Sequence, residues 1–102
     1  MADYHITRGS ELRWRMNFYD ADRNPTSPPS VTLYVSYKHL GESKTDIIGM
    51  TGEAEGLFTA EWESAVADAG YVYWHVRASG ASPHAVDGRI VLVANPANPK
   101  PV

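Results

Sequence analysis

The chain has 102 residues, 43% of them hydrophobic and 21% charged, with a formal net charge of -3 and no cysteine. That length predicts one domain around one core, and the missing cysteines exclude disulfides, thiolate zinc sites and a cysteine nucleophile. Acids and bases are interleaved, which leaves no footprint for nucleic acid or an anionic membrane, and no apolar run reaches the ~18 residues of a membrane span.

Met1-Ala2-Asp3-Tyr4-His5 lacks the basic and apolar regions of a signal peptide. Residues 1–9 read as a lead-in with a short edge strand over His5 to Thr7. Ser10 to Asp20 is the first strong strand. Leu12, Trp14, Met16 and Phe18 share one face, and Glu11, Arg13, Arg15 and Asn17 the other, the pattern of a sheet wet on one side. Asp20-Ala21-Asp22-Arg23-Asn24-Pro25 is a turn, because Asp and Asn bond their own backbone and Pro blocks a strand.

Val31 to Lys38 alternates again, with Val31, Leu33, Val35 and Tyr37 inward and Thr32, Tyr34 and Ser36 outward. His39 to Thr45 reads as a polar loop, Asp46 to Met50 as a short strand and Thr51 to Gly56 as a Gly-bounded turn. Leu57 to Trp62 is a strand with Phe58, Ala60 and Trp62 inward. Ser64 to Ala69 is long enough for one helical turn and too short for an independent helix.

The densest segment is Asp68 to Arg77, which opens on an Asp-x-Gly turn. Val72, Trp74, Val76 and Ala78 face in, and Tyr71, Tyr73, His75 and Arg77 face out. Ser79 to Pro83 reads as a flexible loop. Ala85 to Ala94 is the last strand, with Ile90 and Leu92 inward; Val91 and Val93 face outward, which predicts cover from a partner or from the lead-in. Residues 95–102 form a Pro-rich extended tail, so the sandwich domain spans 10–94. Six or seven short strands separated by turns, with no helical period, predict an all-β sandwich or barrel.

Two resemblances sharpen this. Asp68, Gly70, Val72 and Trp74 resemble the Asp-x-Gly entry into a late strand of immunoglobulin-like sandwiches. Val72 stands in place of the corner tyrosine, so the hydroxyl-to-backbone bond of antibody-type domains is absent. More closely, the chain resembles small immunoglobulin-like proteins of phage and prophage structural gene clusters. The residues that carry this are Phe18-Tyr19-Asp20-Ala21-Asp22-Arg23-Asn24-Pro25, Val31-Thr32-Leu33-Tyr34-Val35, Gly56-Leu57-Phe58-Thr59-Ala60, Ala69-Gly70 leading to Val72, Trp74 and Val76, and Gly88-Arg89-Ile90-Val91-Leu92. Their order and spacing cover about residues 8 to 94. Arg23 replaces the usual turn glycine, which predicts a different hairpin geometry there. The resemblance implies an all-β, immunoglobulin-like antiparallel β-sandwich of about seven strands, and the role of a head–tail or tail-associated virion component, present in the host cytoplasm during assembly and then in the particle, or of an adhesion-type surface domain. Its partners would be other virion proteins or further copies of itself, without nucleic acid or membrane insertion. It transfers no catalytic residues.

Candidate sites are few. Asp20, Asp22 and Asn24 have the spacing that opens a calcium loop, but Pro25 and Val31 stand where such a loop needs glycine and glutamate. A solvated turn is the preferred reading, with a loose cation contact as the alternative. His5, His39, His75 and His84 share no short ligand spacing, although His75 and His84 fall on neighbouring strands. Ser79 and Ser82 sit among Gly, Ala and Pro, and there is neither a phosphate-binding Gly-rich loop nor a Gly-x-Ser-x-Gly, so neither enzyme nor cofactor is expected. The candidate interface is Tyr71, Tyr73, His75 and Arg77, since Tyr and Arg are enriched at binding hot spots. A carbohydrate-binding module is the other reading, with Tyr19, Tyr34, Tyr71 and Tyr73 as stacking rings.

Overall fold

A computed structural model describes residues 4–79 and 84–95 of the chain, with the side chains of residues 84 and 85 left aside. Eight strands follow in order: β1 Tyr4–Thr7, β2 Glu11–Asn17, β3 Val31–His39, β4 Glu42–Gly49, β5 Thr51–Ala54, β6 Leu57–Glu63, β7 Gly70–Ala78 and β8 His84–Val93. A 3-10 turn over Ser64–Val66 stands between β6 and β7, at the corner where one helical turn was expected. One sheet has the order β1-β8-β7-β3-β4 and the other β2-β6-β5. The two pack face to face as a β-sandwich.

Alternation builds the core directly. Leu33, Val35, Val72 and Val76 from the five-stranded sheet are wholly enclosed, against Leu12, Phe58, Ala60 and Trp62 from the three-stranded sheet. Phe18 meets Phe58 edge-on at 5.7 Å, and Trp14 meets Trp74 edge-on at 6.4 Å. Trp62 is buried; Trp14 and Trp74 are half-buried and pack against the core. Inside the sandwich, Asp46 of edge strand β4 accepts hydrogen bonds from the Trp62 indole N–H (2.9 Å) and the Tyr37 hydroxyl (3.1 Å). Burial, with the Asp46 bond second, holds the Tyr37 hydroxyl above its ordinary pKa. An inward carboxylate on an edge strand also discourages a second chain from pairing there.

Several sequence expectations change. His39 to Thr45 is no loop: β3 and β4 are joined by a two-residue turn at Leu40 (φ 50°) and Gly41 (φ 82°), and β4 begins at Glu42. Thr51 to Ala54 is strand β5 at the edge of the smaller sheet, where the expected turn had been. Both strands lie at edges and carry mostly exposed residues, so no apolar alternation announces them. The sandwich is not antiparallel throughout, because β1 pairs in parallel with β8. At the Asp20–Pro25 turn, Arg23 has φ 66°, the left-handed region that glycine favours, which a non-glycine residue adopts at a conformational cost. The loop over 79–83 and the tail over 95–102 lie almost wholly outside the described residues.

Arg8 closes the lead-in onto the fold. Its N–H continues the β1–β8 ladder to the Val93 carbonyl at 2.9 Å. Arg8 is 1% exposed, and its guanidinium donates to the carbonyls of Ala65 (3.1 Å) and Ala67 (3.4 Å) at the 3-10 corner. Ser64 Oγ completes the crossing by donating to the Ser10 carbonyl at 2.6 Å and accepting from the Gly9 N–H at 2.9 Å.

Candidate functional site

The outward residues of the five-stranded sheet form rows set by strand register. Ser36 of β3 lies opposite Tyr73 of β7, which lies opposite Arg89 of β8. One row along, Tyr34 lies opposite His75, and His75 opposite Asp87. Tyr71 lies opposite Val91, which pairs with His5 of β1. The four residues of the predicted interface therefore do share one face. Tyr71 and Tyr73 are more than half exposed, Arg77 is exposed and His75 is partly covered.

Contacts between side chains order this face. The Tyr34 and His75 rings stand 5.8 Å apart, and those of Tyr71 and Tyr73 6.3 Å apart with planes 31° from parallel. The Arg89 guanidinium lies 4.8 Å from the centre of the Tyr71 ring, a cation–π distance. Between the rows is an open recess of about 460 Å³, lined by Tyr34, Ser36, Tyr73, His75, Asp87 and Arg89. Trp74 and Gly88 complete the lining, and Gly88 is glycine for a packing reason. A Cβ there would sit 2.6 Å from Cζ2 of the Trp74 ring.

Val91 and Val93 are covered only in part. The lead-in lies beside them in the sheet plane, through the pairs His5–Val91 and Thr7–Val93, and Val93 remains 44% exposed. Arg89, Asp87 and Ser36 were not singled out from the sequence. The register of Ile90 and Leu92 shows that Asp87 and Arg89 face outward, but which strands are neighbours is a property of the fold alone.

Elsewhere, Asp20 caps its own turn: Oδ1 accepts the N–H groups of Asp22 and Asn24, both at 2.9 Å. Its carboxylate is thus committed to a turn of the solvated type. Among the described residues no group of three or more His, Cys, Asp or Glu side chains is placed to hold a metal ion. His39 Nδ1 stands 2.8 Å from the Val66 carbonyl, which requires the proton on Nδ1. The Asp68 carboxylate accepts the N–H groups of Leu40 and Gly41, both at 2.9 Å, and these bonds hold its pKa below the ordinary carboxylate value.

The two outer faces differ in kind. The three-stranded sheet presents Glu11, Arg13, Arg15, Thr59, Glu61 and Glu63 without an aromatic ring among the described residues of its strands' outward positions, and Arg13 pairs with Glu61 at 2.6 Å. The five-stranded sheet gathers the tyrosines. No family model, no curated protein and no solved structure matches the chain.

Proposed function

We propose that this chain is a non-enzymatic structural protein that acts by protein–protein contact, as a head–tail or tail-associated component of a phage or prophage particle. The observation that carries the contact reading is the outer face of the five-stranded sheet, where Tyr34, Tyr73, His75 and Arg89 line a recess and Tyr71 and Arg77 share the face with them. Exposed Tyr on rigid strands supplies contact area at low cost in side-chain entropy, and Arg adds charge and hydrogen-bond donors. The phage setting rests on the ordered motif resemblance. Purified induced particles are expected to contain the chain by mass spectrometry, and a Tyr73→Ala chain is expected to fold normally and be lost from them. Particles that carry the neighbouring cluster products but lack the chain would refute the proposal.

One observation favours the carbohydrate reading as a second possibility: Tyr34, Tyr71 and Tyr73 border one face, two of them on a recess that also offers Ser36 and Asp87 for hydrogen bonding. Tyr19 does not belong to this platform, since it lies past the end of β2 and bridges to Pro25. A glycan array with wild type and Tyr73→Ala separates the readings, because only a sugar platform gives binding that the substitution removes.

A further inference from the structure

The strongest unexplained feature is a charge asymmetry between the two outer faces. On the five-stranded sheet the outward positions carry Lys38, Arg77 and Arg89 against the single acid Asp87. On the three-stranded sheet they carry Glu11, Glu61 and Glu63, with Glu53 bonded to outward Thr59, against Arg15 and Arg13, the latter paired with Glu61. A molecule of net charge -3 thus has one basic, aromatic face and one acidic face on opposite sides of the same core. Glu11 and Glu63 are moreover directly opposite each other across the β2–β6 ladder, an arrangement unfavourable in an isolated chain. Cations brought over that pair would relieve it.

We infer that a second copy of this chain is an occupant of the basic aromatic face, docking head to tail through the acidic face of its three-stranded sheet. The inference rests on the contact reading above and specifies a partner for it. The basic face of one copy, with Lys38, Arg77 and Arg89, lies over the acidic face of the next, with Glu11, Glu53 and Glu63, and the tyrosines cover the polar surface between. Such a contact is heterologous: the patches that meet are different, so each copy keeps one free face and association continues into a ring or a filament. The size of the smaller face sets the strength. Three strands about 4.8 Å apart and about seven residues long, at about 3.3 Å each, present roughly 300 Å². That is well below the ~800 Å² per partner of a stable complex, so a single contact is weak and steered by charge. The copies assemble where their local concentration is high, as on a growing particle, and separate on dilution.

Sedimentation velocity across a concentration series tests this. In about 50 mM salt, where the screening length is roughly 14 Å, the wild-type weight-average sedimentation coefficient is expected to rise with concentration, and about 500 mM salt is expected to weaken association about tenfold. R77E/R89E and E11K/E63K are each expected to stay monomeric, and their equimolar mixture to associate again, because each now offers the charge the other lacks. A wild type that stays monomeric up to about 1 mM at low salt, or association undiminished in R77E/R89E, overturns the inference. Should the chain be monomeric while Tyr73→Ala still removes it from particles, stacking falls and docking on another virion protein stands. If Tyr73→Ala has no effect on incorporation while wild-type chains stack in a salt-dependent way, the reverse holds.

Discussion

Gly88 and Trp74 are one packing unit read from two strands. The indole occupies the volume that a side chain at position 88 would need, with ring atoms 2.6, 2.8 and 2.9 Å from an added Cβ. Gly88→Ala is expected to cost about 2 kcal/mol by overpacking, and Trp74→Ala about 3 kcal/mol through lost burial against Trp14. In the Trp74→Ala background the glycine substitution should become nearly silent, because the ring it strikes is gone. A double-mutant cycle by urea denaturation measures this coupling, and additivity would show that the ring moves aside freely. Backbone strain at Leu40 gives the opposite sign. Leu40 is 66% exposed at φ 50°, in the first central position of a turn that favours Asn-Gly. Leu40→Asn is expected to stabilise the domain by about 1 kcal/mol, seen as a higher midpoint with an unchanged denaturant slope.

At the scale of elements, the β3–β4 hairpin is held by a residue outside it. Asp68 follows the 3-10 corner, and its carboxylate binds both N–H groups at the hairpin tip while its own N–H donates to the Lys38 carbonyl at 2.7 Å. The bond from Gly41 is the largest cause of its lowered pKa, and the bond from Leu40, His39 and Arg8 act in the same direction against partial desolvation. The sign follows: with its folded pKa below the unfolded value of about 3.9, Asp68 contributes stability above that value and loses it as pH falls through the folded pKa. Asp68→Asn is therefore expected to lower the melting temperature at neutral pH and to flatten its decline below about pH 4, checked by thermal melts across the acid range. The same hairpin shows where the sequence is silent. β2, β3, β6 and β7 each bury every second residue, so their faces were readable one residue at a time. The outward register of Tyr71, Tyr73, His75 and Arg77 came with them. The first half of β4 and all of β5 bury almost nothing, and their pairing depends on the left-handed turn at Leu40-Gly41 and on neighbours distant in sequence. The recess was hidden for the same reason: Tyr34, His75 and Asp87 are adjacent only because β3, β7 and β8 are.

For the molecule as a whole, the decisive question is what keeps two sheets of such different character in one fixed relation, and Arg8 is the clearest answer. It leaves β1 at the edge of the five-stranded sheet and, through Gly9 and Ser10, the chain enters β2 of the other sheet. At that crossing its buried guanidinium donates to Ala65 and Ala67, carbonyls of the corner that carries the chain back from β6 to β7. Two of the four connections between the sheets, β1–β2 and β6–β7, are thus tied to one cation. Arg8→Ala removes the donors, leaves buried carbonyls without those partners and opens a cavity, so a loss of roughly 3 kcal/mol is expected. The loss should be localised as well as global. Hydrogen exchange is expected to quicken first in β1 and along the β8 edge it covers, while the β3–β7 ladder, held by Leu33, Val35, Val72 and Val76, keeps its protection. Uniform acceleration across both sheets would instead mean that β1 and the core unfold as one unit, and that Arg8 supports the whole sandwich equally.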